Sequence, residues 1–275
     1  MRRMLGRPGP LLGLALLGLF AFAALFGPWL APQDPLAQNL DNILAPPGGA
    51  HWLGTDENGS DLLSLFLHGC RLSGYIALTV LAISFVVGVG LGTLAGYVGG
   101  WVDEVIMRVV DVLLAFPGIL LNLAVAAMVK EPSQDHLIFA LCLNGWVGFA
   151  RVARGQVLSA RERDFVQAAR CLGASGARII GSHVLPTILP PLVVQATFTF
   201  AAVLLAEASL SFLGLGPQQP WSWGSLLSQG TTFIWLTHHL ALVPGVAIAL
   251  LVLACNLLGD GLQDLLDPRR RRSLG

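Results

Sequence analysis

Six long apolar runs constrain what this 275-residue chain can fold into. A run of about 18 residues or more is long enough to cross a hydrocarbon core roughly 30 Å thick as one α-helix. Hydrophobic residues make up 55% of the sequence and charged residues only 12%, and the mean hydropathy is +0.71, all far from the average of soluble proteins. We therefore predict an all-α, polytopic membrane protein. Its six predicted transmembrane helices are residues 11–31, 75–98, 105–128, 137–154, 192–214 and 240–259.

The basic residues gather on one side of this predicted bundle. The chain has 16 Lys and Arg against 16 Asp and Glu, so its net charge is zero. With a cytoplasmic N-terminus, every basic residue except Arg71 and Lys130 falls on or near the cytoplasmic side. Because positively charged loops tend to stay in the cytoplasm, both termini are predicted to be cytoplasmic. The outer loops are then net negative, which would steer a basic patch on an external protein, although the same bias leaves acids outside by default.

The first apolar run has a second interpretation, a cleaved signal peptide. Arg2, Arg3 and Arg7 would form its basic start. Its apolar part exceeds the usual 7–15 residues, and Pro28 and Pro32 stand where a small-residue cleavage site is expected. We therefore predict a retained span.

Small and ionisable residues inside the spans carry separate expectations. The glycines of the second span predict close helix–helix contact, and membrane helices tolerate Pro117 within the third. These glycines are Gly88, Gly90, Gly92 and Gly96. Ionisable groups are costly in a membrane and often mark a translocation pathway, for which Glu207 and Asp111 are the candidates. For Glu207 a pathway or gating role and a hydrogen bond between helices both stay open. For Asp111 an ion pair with Arg108, one turn earlier, is the simpler interpretation.

Two longer regions are predicted to lie outside the membrane. In residues 32–72, Thr55 or Asp56 is predicted to cap a short helix on the membrane surface. Residues 215–239 contain tryptophans that favour a role as anchors at the membrane–water boundary, with substrate contact as the alternative. These tryptophans are Trp221, Trp223 and Trp235.

A polar, arginine-rich segment at residues 155–190 is predicted to be a cytoplasmic loop with two short helices. Ser159 and Glu162 match a capping box that predicts the start of the first helix. Gly173 suits a left-handed end of that helix, and Ser175 can cap the second. The first helix would present one small-to-apolar face, formed by Phe165, Ala168, Ala169 and Leu172. The second would run through Ile179, Ile180 and His183 and close at Pro186 and the Pro190–Pro191 pair. The loop is either a docking element for another protein or an amphipathic segment on the inner leaflet.

No chemistry of an enzyme stands out. The four cysteines are scattered over different spans and predict neither a disulfide framework nor a metal site. Lys130 is the only lysine, and no Gly-x-x-x-x-Gly-Lys motif is present to hold ATP. Gly173-Ala174-Ser175-Gly176 matches the Gly-x-Ser-Gly motif of rhomboid-type intramembrane proteases, with His183, His238 and His239 as bases, but it lies in the most polar loop. A stand-alone secondary transporter is another alternative, which predicts internal repeats that we do not find.

The cytoplasmic loop resembles the signature of the membrane subunits of type I ABC importers. That signature is Glu-Ala-Ala, three residues, Gly, nine residues, Ile, one residue, Leu-Pro. Gln167 stands in place of Glu and His183 in place of Ile. The positions that match are Ala168, Ala169, Gly173, Leu185 and Pro186.

Other segments are similar to the dipeptide, oligopeptide and nickel permeases within that family. Residues 53–64 resemble a Leu-Gly-Thr-Asp, then Gly-Arg-Asp segment, with Ser60 in place of Arg. Residues 111–117, 207–216, 256–262 and 267–269 match further segments. The likeness covers nearly the whole chain and is greatest to the second, shorter permease of the pair that such systems use.

The resemblance implies a fold, partners and site residues. The fold is the MetI-like type I ABC importer permease fold, with the permease domain at residues 75–264 after an N-terminal part at 1–74 and before a basic tail at 265–275. The implied partners are two ATP-binding subunits that hold ATP and Mg, a second permease, an external substrate-binding protein and the lipid bilayer, with no nucleic acid. The chain itself is expected to hold no cofactor and to catalyse no reaction, and to lie in a bacterial cytoplasmic membrane. The cargo stays open among dipeptides, oligopeptides, nickel and related small solutes.

The implied site residues form two sets. The ATPase-coupling set is Gln167, Ala168, Ala169, Arg170, Gly173, Ala174 and Ser175. The external loop set is Gly54, Thr55, Asp56, Gly59 and Asp61.

Overall fold

The computed structural model describes residues 8–130, 132–217, 219 and 221–266. The arginines at both termini, most of the predicted basic tail and Glu131 therefore lie outside the described residues. The described part is helical, with one isolated β-bridge between Thr55 and Asp61. Its helices are α1 (Pro8–Leu30), α2 (Leu62–Val98), α3 (Gly100–Ala115), α4 (Gly118–Ala126), α5 (Gln134–Arg161), α6 (Asp164–Cys171), α7 (Gly176–Ile179), α8 (Leu185–Phe212), α9 (Trp223–Thr232) and α10 (His239–Leu266).

Five of these helical segments are long and apolar enough to cross a membrane. They are α1, α2, α5, α10 and the continuous stretch Gly176–Phe212 that contains α8. The α3–α4 pair supplies a sixth, so the all-α, six-span prediction is confirmed. We call the end of the bundle that carries α6 and α7 the elbow end, and the opposite end, with residues 31–61, the loop end.

The third span is broken, where we predicted one helix over residues 105–128. The axes of α3 and α4 differ by 84°. Phe116, which precedes Pro117, has φ −93° and ψ 136°, an extended conformation. The proline ring disfavours helical geometry in the residue before it, and here the chain turns instead of continuing.

The second span begins earlier than predicted, because α2 starts at Leu62 instead of residue 75. Asp61 is its N-cap and accepts a hydrogen bond from the backbone nitrogen of Ser64. The predicted surface helix capped by Thr55 or Asp56 is therefore wrong. The helix in this region starts only at Leu62 and forms the first turns of the 37-residue α2. An Asp three residues before Ser was the available sequence signal for this cap.

A glycine seam joins α2 to α5. A methyl group at Gly88 would lie 2.3 Å from the carbonyl oxygen of Trp146, and one at Gly92 would lie 2.3 Å from that of Ala150. At Gly96 the nearest atom would be the carbonyl oxygen of Arg154, at 2.9 Å. Contact between helices is thus confirmed for these glycines. The prediction of contact is wrong for Gly90, because no atom of the described residues lies within 4 Å of the position that a Cβ would take there.

Both ends of the described chain meet at the elbow end. A methyl group at Gly13 of α1 would lie 2.6 Å from the carbonyl oxygen of Ala254 in α10. One at Gly261 would lie 2.4 Å from Cγ of Pro10. The start of α1 therefore packs along the last turns of α10, as an even number of crossings requires.

Candidate functional site

The elbow, which we define as residues 164–179, consists of α6, a glycine turn and α7. The turn is a Schellman motif, in which the backbone nitrogen of Gly173 donates to the carbonyl oxygen of Arg170 at 2.9 Å and that of Ala174 to Ala169 at 3.0 Å. Gly173 has φ +79°, which glycine adopts without a steric penalty. Ser175 caps α7 and accepts a hydrogen bond from the backbone nitrogen of Arg178. The predictions for Gly173 and Ser175 are confirmed.

Two predictions about the limits of the elbow are wrong. Ser159 does not start a helix, because α5 continues through Arg161 and α6 begins only at Asp164. An acidic residue in the first turn of α6 interacts favourably with the helix dipole, which serves in place of a side-chain cap. Pro186 does not end the second helix either. It lies in the first turn of α8, directly after a π-helical turn in which Leu185 donates to the carbonyl oxygen of Ile180, and the helical stretch continues through it and through Pro190 and Pro191.

A π-helical turn at Ile180–Val184 connects α7 directly to α8. Residues Gly176–Phe212 consequently form one 37-residue helical stretch that includes a membrane span. No loop therefore separates α7 from α8.

The elbow packs on the bundle through one side and leaves the other exposed. Val166 and Ala169 of α6 and Ile179 of α7 are buried in a cluster with α5 and α8. Leu172 is 88% exposed, and Ala168 and Gly173 are exposed beside it. Of the predicted small-to-apolar face, Phe165, Ala168 and Leu172 are thus exposed, whereas Ala169 packs inward beside Val166.

Polar contacts fix the elbow to the last turns of α2 and α5. Arg161 donates from Nη1 to the carbonyl oxygen of Gly96 at 3.0 Å. Gln167 donates from Nε2 to the carbonyl oxygen of Arg161 at 3.2 Å. The guanidinium carbon of Arg170 lies 5.5 Å from the centre of the Tyr97 ring. Gln167 and Arg170 therefore hold α6 in place, while their neighbours Ala168 and Leu172 face outward.

At the loop end, the predicted external motif forms a buried polar cluster instead of an exposed surface. Thr55, Asp56 and Asp61 are each at most 1% exposed. One oxygen of Asp56 accepts from the backbone nitrogens of Asn58 at 2.9 Å and Ser60 at 2.8 Å. These bonds form a tight turn, so the motif folds the loop, and its two aspartates add little to the outer surface charge.

The two glycines of the motif are required by close approach and by backbone conformation. Gly54 and Gly59 have φ +83° and +72°. A methyl group at Gly54 would lie 2.5 Å from Nε2 of His239, and one at Gly59 would overlap the carbonyl oxygen of Asn39. His239 Nε2 also lies 3.3 Å from the carbonyl oxygen of Thr55, which ties this loop to the start of α10.

Asp61→Ala is expected to destabilise the loop end. Asp61 accepts from the Ser64 backbone at 2.9 Å and the Ser64 hydroxyl at 2.8 Å, and its Oδ1 lies 3.1 Å from His51 Nδ1. Loss of a helix cap costs about 1 kcal/mol, and each buried donor left unpaired costs about 1–3 kcal/mol. Thermal unfolding of the solubilised chain should show a lower midpoint for Asp61→Ala than for the isosteric Asp61→Asn. An unchanged midpoint in Asp61→Ala would contradict this role.

Glu207 lies inside the contact between α2 and α8. It is 1% exposed, and its two oxygens accept from the hydroxyls of Ser73 in α2 and Ser211 in α8, both at 3.0 Å. The structure thus contains the interhelical hydrogen bond that we had kept as one of two interpretations. The serines at 73 and 211 are the residues that sequence reasoning missed, because single serines in apolar spans are common and carry no signal.

The ion pair between Asp111 and Arg108, which the sequence favours, does not form. Within the described residues, the ion pair of α3 joins Asp103 to Arg154 of α5, with Nε to Oδ1 at 2.5 Å and Nη2 to Oδ2 at 2.6 Å. Asp111 is exposed on α3.

The tryptophans of the loop end differ in environment. Trp223 is 3% exposed, stacks on Phe66 with ring centres 5.0 Å apart, and donates from Nε1 to the Phe66 carbonyl oxygen at 3.2 Å. The prediction that Trp223 is an anchor at the membrane–water boundary is wrong, because α9 folds back against α2 and buries this side chain. Trp235 is 94% exposed and keeps that prediction.

Comparison with protein families gives two matches that together span most of the sequence. Residues 88–272 match the family described as binding-protein-dependent transport system inner membrane component. The chain belongs to that family. Residues 1–47 match the N-terminal transmembrane domain of oligopeptide transport permease C. The chain is thus a multi-pass permease subunit of an ABC importer, as the resemblance implied, and family membership decides against the protease and secondary-transporter alternatives.

Named relatives of this permease align over nearly its whole length. The dipeptide transport system permease protein DppC of Alkalihalophilus pseudofirmus is 39% identical over 262 residues, which cover 95% of this chain and 86% of the relative. The di/tripeptide permease DppC of Pseudomonas aeruginosa is 41% identical over 272 residues, covering 96% and 89%. The probable D,D-dipeptide permease DdpC of Escherichia coli is 40% identical, covering 96% and 89%.

A solved structure shares the fold. A chain of the inward-facing MetNI methionine ABC transporter matches this permease with a TM-score of 0.62 at 19% sequence identity, covering 74% of this chain and 96% of that one. A second crystal form of the same transporter gives a TM-score of 0.59. The MetI-like permease fold predicted from the resemblance is therefore confirmed.

Proposed function

We propose that this permease forms half of the translocation pathway of an ATP-driven peptide importer, and that its elbow is the docking element for a partner ATPase. The observation that carries the proposal is the exposed tip of the elbow. Leu172 is 88% exposed although it follows a helix whose Val166 is fully buried. A large apolar side chain held outward on a rigid Schellman turn is suited to a pocket on another protein.

The charge around this tip indicates the chemistry of that pocket. Arg163, Arg170 and Arg178 are exposed on or beside α6 and α7. We infer an apolar pocket for Leu172 with an acidic rim, on each of the two ATP-binding subunits that such an importer uses. ATP and Mg would be held by those subunits, and this chain would transmit their closure without catalysing a reaction.

Transmission would follow the continuous helix from α7 to α8. Closure of the ATPase pair pushes the elbow, and the π-helical turn passes that displacement into the span that carries Glu207. Alternating access in transporters arises from such rigid-body motion around a fixed site. A second permease would complete the pathway, and an external substrate-binding protein would deliver the cargo at the loop end.

Peptides are the cargo that we propose. Three relatives at 39–41% identity are named as dipeptide, di/tripeptide and D,D-dipeptide permeases. This favours short peptides over nickel and other small solutes.

The pathway residues that we propose are Glu207 and Asp111. Glu207 is buried and holds α2 against α8 through Ser73, so its proposed role is to keep these two helices together in the wall of the pathway. Asp111 is exposed on the broken span, where an ionisable group needs water or a polar partner in the assembled membrane complex. It is the residue that we expect to face the pathway itself.

The orientation that fits this function places the elbow end and both termini in the cytoplasm of a bacterial cell. The permease domain would cover residues 75–264, after an N-terminal part at 1–74, with residues 265–275 as a cytoplasmic tail.

Cys171 provides a direct test of docking. It is exposed next to Leu172, while Cys70 and Cys255 are buried and Cys142 is half-buried. In inside-out vesicles, a bulky maleimide should label Cys171, and co-expression of the ATP-binding subunits should slow labelling at least tenfold. Cys171→Ser should remove the signal. Equal labelling with and without the ATPases would contradict docking at the elbow.

The same assay tests orientation. A Cys171→Ser, Trp235→Cys variant moves the exposed thiol to the loop end, since Trp235 is 94% exposed. It should react in right-side-out vesicles and stay protected in inside-out ones. The opposite pattern would invert the proposed orientation.

A further inference from the structure

Tyr97, in the last turn of α2, contacts both arms of the elbow. The guanidinium of Arg170, from α6, lies over its ring with the guanidinium carbon 5.5 Å from the ring centre, within cation–π distance. On the α7 side, a methyl group at Gly176 would lie 3.2 Å from Cε1 of Tyr97 and 3.5 Å from its hydroxyl oxygen. The ring therefore lies between the two helices of the elbow, and glycine at 176 gives it room.

The end of α2 that carries Tyr97 is itself fixed to α5. Arg161 of α5 donates to the carbonyl oxygen of Gly96 at 3.0 Å. A methyl group at Gly96 would lie 2.9 Å from Cβ of Val157, so the two helices touch at backbone distance here. The ring of Tyr97 thus stands on a rigid base, which is the condition for it to transmit a displacement instead of absorbing it.

The elbow is joined covalently to two spans, to α5 through residues 162–163 and to α8 through the π-helical turn at Ile180–Val184. It is not joined covalently to α2, which it reaches through the contact of Tyr97. The helices α2 and α8 meet again toward the loop end, where the Ser73 hydroxyl donates to Glu207 at 3.0 Å. If the elbow moved α8 alone, the strain would fall on this buried hydrogen bond.

We propose that Tyr97 is a positioning residue that transmits elbow displacement to α2, so that α2 and α8 move as one body in the transport cycle. This inference rests on the proposed docking of an ATPase at the elbow. Tyr97 does not form the docking surface, since it is half-buried and packs against the buried cluster of Val166, Ala169 and Ile179, whereas Leu172 is exposed. Loss of its ring should leave docking intact and separate ATP hydrolysis from transport.

The test uses the whole importer, with this chain, the second permease and the ATP-binding subunits reconstituted in proteoliposomes, and a binding protein loaded with radiolabelled dialanine. Uptake and ATP hydrolysis are measured in the same vesicles. Tyr97→Ala should lower the number of dialanine molecules taken up per ATP at least fivefold, while Cys171 protection by the ATPases is unchanged. Tyr97→Phe keeps the aromatic face and should stay within twofold of the wild type.

Two further variants keep the result decisive. Tyr97→Leu retains apolar bulk, so it should fold even if Tyr97→Ala does not, and it should still lower the uptake per ATP. Val98→Ala truncates the neighbouring residue, which is 55% exposed, and should change nothing. Wild-type uptake per ATP in both Tyr97→Ala and Tyr97→Leu, or an equal loss in Tyr97→Phe, would overturn the proposal. If the ATP-binding subunits do not protect Cys171 in the wild-type chain, ATPase docking at the elbow is refuted. That outcome is distinct from a failure of the Tyr97 proposal alone.

Discussion

Gly173→Asp is expected to abolish peptide-stimulated ATP hydrolysis by the assembled importer while leaving the permease in the membrane. No atom of the described residues lies within 4 Å of the position that a Cβ at Gly173 would take, so a side chain begins in open space there. The obstacle must come from the docked partner. A carboxylate there would also stand at the C-terminal end of α6, where the helix dipole disfavours negative charge, and among residues that docking would remove from water. Stimulation by a peptide-loaded binding protein should fall to the basal rate.

A second glycine separates this effect from backbone strain. Gly100, at the turn between α2 and α3, has φ +56° and no atom within 4 Å of its Cβ position, against φ +79° at Gly173. A side chain costs roughly 1 kcal/mol at either position through the left-handed backbone alone. Gly100→Asp should therefore keep most of the stimulation. Normal stimulation in Gly173→Asp, or equal loss in both variants, would contradict the assigned role of the elbow.

Gly92→Leu is expected to separate α2 from α5 and to remove most of the folded permease from the membrane. A Cβ at Gly92 would lie 2.3 Å from the carbonyl oxygen and 2.8 Å from the Cα of Ala150, both backbone atoms that cannot rotate away. Overpacking a well-packed contact costs about 1–3 kcal/mol, and more where backbones must part. The seam continues at Gly88 and Gly96, so a shift at Gly92 opens those contacts too. Membrane yield and thermal unfolding of the solubilised chain measure the effect.

Gly90 is the matched control for this prediction. It lies two residues away in the same span, is exposed, and has no atom within 4 Å of its Cβ position. Gly90→Leu adds the same side chain to the same helix and should leave both yield and unfolding midpoint close to those of the wild type. A similar loss in both variants would show that the leucine acts on α2 itself and not on the seam.

The sequence predicted the features that depend on local chemistry. The order of the apolar spans follows from hydrophobic runs, because the thickness of the bilayer sets how many apolar residues a crossing needs. Their exact limits do not, since α2 extends over 37 residues. The left-handed Gly173 and the cap at Ser175 follow from what those residue types do within three or four positions along the chain. The signature shared with type I ABC importers is a local spacing as well, and within it the structure buries Ala169 and exposes Ala168.

Local rules failed where several local solutions compete. Ser159 and Asp164 both offer a helix start, and Thr55, Asp56 and Asp61 all offer caps. Packing of the surrounding helices decides among them. The helix α5 continues to Arg161, whose side chain donates to the carbonyl oxygen of Gly96 at the end of α2. In the same way, Pro117 stands at the break in its span, whereas Pro186 lies directly after a π-helical turn and the helical stretch Gly176–Phe212 continues through it.

Sequence alone thus determined that this chain is an all-α polytopic membrane protein and which family it resembles, while the side that carries its basic loops stays a prediction. Only the tertiary structure decided that Trp223 is core, that Asp56 and Asp61 fold a buried turn, that Glu207 joins two helices through Ser73, and that Tyr97 stands between the arms of the elbow. The physical reason is separation along the chain. Spans and turns depend on residues within about one helical length, whereas each of these contacts joins backbone or side chains that only the packed bundle brings within a few ångströms.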